Sequence, residues 1–216
     1  MGTYEYETSY DYEFYWKSCN NLYNFVSYYH QLNEIYETKP DSVLEIGIGN
    51  RLVYNQLKEL KRLRVVSMDI NAKLRPDVVG DIRSIPLEAK SFDTVCAFEV
   101  LEHIPFEDFE ETLVELKRMA RNYVIISIPI VRIGVDFYFK IPKHNPFYYY
   151  INIPIKLKQK PVEDDKQAHY WEVDKKGFEK KKILAIISKY FEIKKAYRLP
   201  LNKYHLMLVL KNKEMV

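Results

Sequence analysis

The sequence predicts an α/β protein built on a doubly wound, mostly parallel sheet with helices on both faces. Two patterns predict it. Short apolar runs at 42–46, 64–69, 93–98 and 123–128 alternate with stretches whose apolar residues recur at helical spacing. Strands and helices in that alternation close into right-handed βαβ units and hence a parallel sheet. The chain is also long enough: 216 residues, 47% hydrophobic and 29% charged, suit one globular domain over 1–216 with a full core.

The first 13 residues are rich in Tyr and Glu, and 9 of the 19 tyrosines fall within residues 1–36. From about Tyr15 to Glu37, apolar positions 22, 25, 26, 29, 32, 35 and 36 predict a helix, so residues 1–40 read as a helical cap. Tyrosine offers flat apolar area with one polar tip, which suits covering a ligand as well as docking on a sheet. Pro40 ends this element. Strand 42–46 follows, then Gly47 and Gly49, then a helix over 52–62. Further strands are expected at 64–69, 77–81, 93–98 and 123–128, with a helix over 107–119 before the last and Pro129 after it. Residues 130–168 break the rhythm, with Pro142, Pro146, Pro154 and Pro161 set among aromatics. A long connection of that composition reads as a lid, although a dimer contact would use the same residues. A helix at 174–189 and strands near 191–198 and 205–211 complete the chain.

Charge is unevenly spread. Residues 1–50 carry 2 basic and 8 acidic groups, 51–129 carry 12 and 13, and 130–216 carry 19 and 9. The basic last third could meet an anionic partner, but its lysines are dispersed among acids, which reads as a solvated surface and not as a nucleic-acid interface. Two cysteines, Cys19 and Cys96, are too few for a disulfide framework, and no run of about 18 apolar residues is present. A reduced cytoplasmic protein with no membrane span is expected. No metal ligand set is assigned.

In open α/β sheets, ligands bind beyond the carboxyl ends of the strands, where strand order reverses. Gly47 and Gly49 follow the first strand, and Asp69 ends the second, 20 residues after Gly49. A carboxylate at that place can accept from both hydroxyls of a ribose. Asp81-Ile82 follow the third strand and Phe98-Glu99 the fourth. Together these four features predict a nucleotide-like ligand. A nicotinamide dinucleotide fits less well, because its third glycine is missing. The glycine expected at position 51 is Arg51. A non-glycine residue at positive φ there costs on the order of 1 kcal/mol, unless Asn50 takes the left-handed turn instead.

The segments VLEIGIGN, SMDI and GDIRSIPLEAKSFDTVCAFEVLEHI resemble the class I S-adenosylmethionine-dependent methyltransferases, most closely the type 11 methyltransferase-domain group. The likeness is dense over about 42–128, thinner over 169–211 and nearly absent elsewhere. It implies a Rossmann-like, seven-stranded sheet whose last strand runs antiparallel, with S-adenosyl-L-methionine as cofactor. It further implies that Glu45, Gly47 and Gly49 hold the methionine part and that Asp69 binds the ribose, with Ile70 packing on the adenine. Asp81 and the Ile82 backbone would read the adenine edge, and Phe98 and Glu99 would line the methionine side.

Methyl transfer is an in-line displacement, so a base is needed only where the acceptor must lose a proton. His103 is the candidate for that role, with His144 and His169 behind it; a helix-capping role for His103 is the bland alternative. Substrate choice is expected in 1–40 and 130–168, whose aromatics suit an apolar or flat small molecule. Residues 98–101 read FEVL, not the NPPY-like or DPPY-like tetrad of amino-nitrogen base methylators. An RNA or protein methyltransferase, or a non-catalytic cofactor-binding or interaction protein with this fold, are the alternatives.

Overall fold

The computed structural model describes residues 10–131, 134–139, 142–143, 147–152 and 169–213. In chain order the helices are α1 (Tyr12–Cys19), α2 (Leu22–Glu37), α3 (Leu52–Lys58), α4 (Phe109–Met119) and α5 (Lys180–Tyr190). The strands are β1 (Ser42–Ile46), β2 (Arg64–Asp69), β3 (Val78–Val79), β4 (Phe92–Phe98), β5 (Ala120–Pro129), β6 (Gly134–Phe139), β7 (Phe147–Asn152), β8 (Phe191–Leu199) and β9 (Asn202–Asn212).

Seven of these form one sheet in the order β3-β2-β1-β4-β5-β9-β8. The first five run parallel, and β9 runs antiparallel to both β5 and β8. This is the expected architecture, including the antiparallel last strand. Chain order reverses between β1 and β4, which opens a crevice at their carboxyl ends. Central strands covered on both faces must be apolar throughout, and all five residues of β1 are buried. Alternation sorts them: Leu44 and Ile46 join the layer under α4 and α5, while Val43 joins the layer under α2 and α3. On α4, Phe109, Thr112, Leu113, Leu116 and Met119 recur at helical spacing and are buried.

Several boundaries differ from expectation for local reasons. The helix expected over 15–37 is two helices, because the Asn21 carboxamide accepts from Asn24 N at 3.1 Å and starts α2 anew, as Asp11 starts α1. The helix expected over 52–62 stops at Lys58, and a tight turn from Leu60 to Leu63 leads into β2. The strand expected at 77–81 keeps only Val78 and Val79. Asp77 turns its carboxylate to Ser67 N, Ser67 Oγ and Tyr54 Oη instead of pairing, and Asp81 bridges Ser84 in a turn. The helix expected from 174 begins at Lys180, since Asp174 (φ 67°) and Gly177 (φ 91°) form a left-handed turn first. Within 130–168, β6 and β7 pair as an antiparallel hairpin; most of the expected lid lies outside the described residues. Among the described residues no helix is long and apolar enough to cross a membrane.

Candidate functional site

A cavity of about 500 Å³ lies beyond the carboxyl ends of β1, β2 and β4, with residues of α1 and α2 on its outer wall. Its floor is the turn after β1. Gly47 adopts φ 79°, and a Cβ there would stand 2.3 Å from Val100 Cγ2, so only glycine lets the two loops meet. Gly49 (φ 44°) lies under the Tyr15 ring of α1. Arg51, not Asn50, takes the left-handed turn, at φ 61° and ψ 15°. Its guanidinium leaves the cavity, donating to the Leu74 carbonyl at 2.7 Å and to that of Arg75, and lies over the Tyr54 ring. These charge-assisted bonds offset a backbone strain of about 1 kcal/mol. Asn50 ties α2 to the loop instead, its Oδ1 accepting from Leu52 N at 3.1 Å and its Nδ2 donating to Tyr28 Oη at 2.8 Å.

Acidic groups ring this floor. Asp69 accepts from Ile48 N at 2.9 Å and from Asn71 N at 2.8 Å, through different oxygens. Burial raises its pKa, and the backbone N–H groups of Asn71, Ile48 and Ile70 work against that rise. Glu45 is 3% exposed, and its Oε2 has no hydrogen-bond partner. Burial pushes its carboxyl up to about 8, with Arg51 pulling it down and Asp69 adding to the rise. Asp81 is clamped by Arg83, whose Nη2 lies 2.8 Å away and whose Nη1 reaches Asp108 at 2.9 Å. All nine positions expected to hold a cofactor (Glu45, Gly47, Gly49, Asp69, Ile70, Asp81, Ile82, Phe98 and Glu99) line this cavity.

A second cluster completes the wall after β4. His103 ends a short 3-10 turn, Leu101–His103, and its ring meets that of His169 edge-on, with centroids 4.9 Å apart. Residues 169–173 are stitched along the sheet edge: Tyr170 N donates to Glu102 O at 2.8 Å and Val173 N to Pro129 O at 2.9 Å. Trp171, fully buried against Phe106 and Phe109, anchors the strip and donates from Nε1 to Ile104 O. His144 lies outside the described residues. Sequence reasoning missed Glu102, Glu172 and His205. Glu102 is fully buried, and burial first, then Glu99 and Glu172, push its carboxyl well up. Burial also works to raise Glu172, but His169, Lys175 and Tyr204 outweigh it and hold the carboxyl at about 2. His205 sits 3.3 Å from Glu99 Oε2 and 3.1 Å from Ser27 Oγ. The AHYWEV segment was the one available signal for Glu172.

The family model described as "Methyltransferase domain" matches residues 44–128. The resemblance read from the sequence is thereby borne out over its dense part. No curated protein gives a significant match. Among solved structures, the N-methyltransferase NodS of Bradyrhizobium japonicum, in complex with S-adenosyl-L-homocysteine, aligns with a TM-score of 0.61 at 12% identity, covering 98% of this chain and 97% of that one. The magnesium protoporphyrin IX methyltransferase of Synechocystis, with the same ligand bound, aligns at 0.59 and 13% identity, covering 97% of each. The 1,6-didemethyltoxoflavin-N1-methyltransferase of Burkholderia thailandensis aligns at 0.54 and 16%, covering 88% and 86%. At such identities the likeness speaks for the fold alone.

Proposed function

We propose that the protein transfers a methyl group from S-adenosylmethionine to a small-molecule acceptor in the cytoplasm. The observation that carries this reading is the pairing of a glycine cradle with a buried, unpartnered acid. Gly47 lets Val100 close on the loop, and Glu45 Oε2 sits in the same cavity without a donor. A cationic amino group is the natural occupant for such a carboxylate. The site residues therefore fit the cofactor, which when bound supplies an electrophilic methyl on a sulfonium sulfur.

Each residue then has a role. Glu45 accepts from the amino group, directly or through water, while the Gly47 and Gly49 backbone lets the methionine part approach. Asp69 accepts from the ribose hydroxyls, and Ile70 packs on the adenine. Asp81 accepts from the adenine amino group, and the Ile82 backbone reads the ring edge. Phe98 and Glu99 line the methionine side. His103 acts on the acceptor's proton and not on the cofactor. Tyr10, Tyr15, Tyr28 and Tyr204 on the cavity wall favour a flat or apolar acceptor shielded from water. Two neighbours of this fold are named for small acceptors, 1,6-didemethyltoxoflavin and magnesium protoporphyrin IX, so the fold is compatible with one. Free Cys19 and buried free Cys96 suit a reducing compartment.

Calorimetry with S-adenosylmethionine and S-adenosylhomocysteine tests the reading. One site per chain is expected at micromolar affinity; no heat at about 1 mM ligand sinks it.

A further inference from the structure

We infer that Glu102, His103 and His169 form a binding site for one divalent transition-metal ion on the wall of the cavity after β4. One ligand atom from each of the three lies within 4.8 Å of the other two. Glu102 is the centre of the argument. It is 0% exposed, and among the described residues no side chain apart from the adjoining Glu99 carboxyl is placed to hydrogen-bond its oxygens. A carboxylate that deep needs a cation or a set of donors. The basic side chains in the vicinity are engaged elsewhere, Arg83 with Asp81 and Asp108, and Lys175 with Glu172.

His169 is already oriented as a ligand. Its Nδ1 lies 3.0 Å from Glu172 Oε1, an arrangement that suits a hydrogen on Nδ1. With that tautomer, Nε2 presents its lone pair toward Glu102 Oε1 at 4.0 Å. That distance is too long for a hydrogen bond. It is close to the spacing of two ligands on one ion, about 3.3 Å at a tetrahedral angle for bonds of about 2.0–2.1 Å. A carboxylate behind the far nitrogen of a ligating imidazole is the usual outer-shell support of a metal site. The His103 and His169 rings meet edge to face, at an interplanar angle of 81°. Glu99 adds a further acid within hydrogen-bond reach of Glu102.

Two imidazoles and one carboxylate select Zn²⁺, Fe²⁺ or Mn²⁺ over Mg²⁺ and Ca²⁺, and leave coordination positions open. All three residues line the cavity in which the methyl acceptor would lie. The ion would hold the acceptor's heteroatom and make its proton easier to lose. His103 would then act on the acceptor through the metal it ligates. That consequence rests on the methyl-transfer reading, but the metal site itself does not.

The experiment uses untagged full-length protein, freed of metal with a chelator and exchanged into chelator-free buffer. Zn²⁺ is titrated by calorimetry and Co²⁺ by visible absorption, with S-adenosylhomocysteine affinity measured in parallel. One ion per chain is expected at micromolar affinity or better. Glu102→Gln and His169→Ala should each weaken it about 100-fold, and Glu172→Gln about 10-fold. Binding of S-adenosylhomocysteine within about threefold of the parent shows that each variant is folded. Glu102→Asp, which keeps the charge on a shorter arm, should retain partial affinity. No ion bound at about 1 mM metal overturns the site. So does undiminished affinity in Glu102→Gln; a Glu99–Glu102 pair sharing one proton is then the reason for the burial. Metal binding without cofactor binding would overturn the methyl-transfer reading and leave the site standing.

Discussion

Replacing Glu45 by Gln should stabilise the empty protein and weaken its cofactor. The carboxyl of Glu45 is moved by burial from 4.5 to about 8. Between these values the folded chain holds a proton that the unfolded chain has released. Stability therefore falls as pH rises through that window, and the loss is complete above it. Fully developed, the cost has an upper bound on the order of 5 kcal/mol, since each pKa unit corresponds to 1.36 kcal/mol. Gln fills the same space with no charge to bury. Chemical denaturation at pH 5 and pH 8.5 reads the effect directly. The parent should lose at least about 1 kcal/mol more than Glu45→Gln between the two pH values. In contrast, the variant should bind S-adenosylmethionine about tenfold or more weakly, because a bond to a charged group contributes about 1.5–3 kcal/mol. Opposite signs in stability and binding mark a residue kept for a ligand. Parallel pH slopes in parent and variant would refute the burial argument, and unchanged affinity would refute the assignment to the amino group.

Three further outcomes are expected. Asp69→Ala should weaken S-adenosylhomocysteine binding by about 1–3 kcal/mol through loss of the ribose contact, as calorimetry would show; equal affinity would mean that the ribose lies elsewhere. Gly47→Ala should destabilise by about 1–3 kcal/mol, and adding Val100→Ala should restore only part of it, since the second change removes the 2.3 Å clash but not the strain at φ 79°. Full rescue in thermal unfolding would show that strain contributes nothing. Arg51→Gly should relax the left-handed turn by about 1 kcal/mol yet lose the guanidinium bonds to the Leu74 and Arg75 carbonyls, for a net loss of about 1–2 kcal/mol in denaturant melts. A variant as stable as the parent would show that those bonds do not outweigh the strain.

Much of this was legible along the chain because it depends on near neighbours. Strand 42–46, the two glycines and Asp69 announce themselves by periodicity and spacing, and the structure brings them to one cavity edge. The break between α1 and α2 was less legible, since an apolar stripe continues across Asn21 and only its capping bond marks the stop. Arg51 was ambiguous for the same kind of reason. Sequence shows that glycine is absent, but whether Asn50 or Arg51 bears the turn depends on carbonyls 23 and 24 residues away.

The sequence by itself determined the sheet, its parallel core and the acids and glycines at the strand ends, because burial on both faces and tight turns each demand particular residues locally. Tertiary structure alone decided what surrounds them. His205 reaches Ser27 across 178 positions, and Tyr170 N finds the Glu102 carbonyl after the long excursion beyond β5. These contacts set Glu102, His103, His169 and Glu172 against one another in a buried wall. No period or spacing encodes such a meeting. It follows from where β5 and β9 deliver the chain, and burial there turns ordinary carboxylates into groups that require a partner.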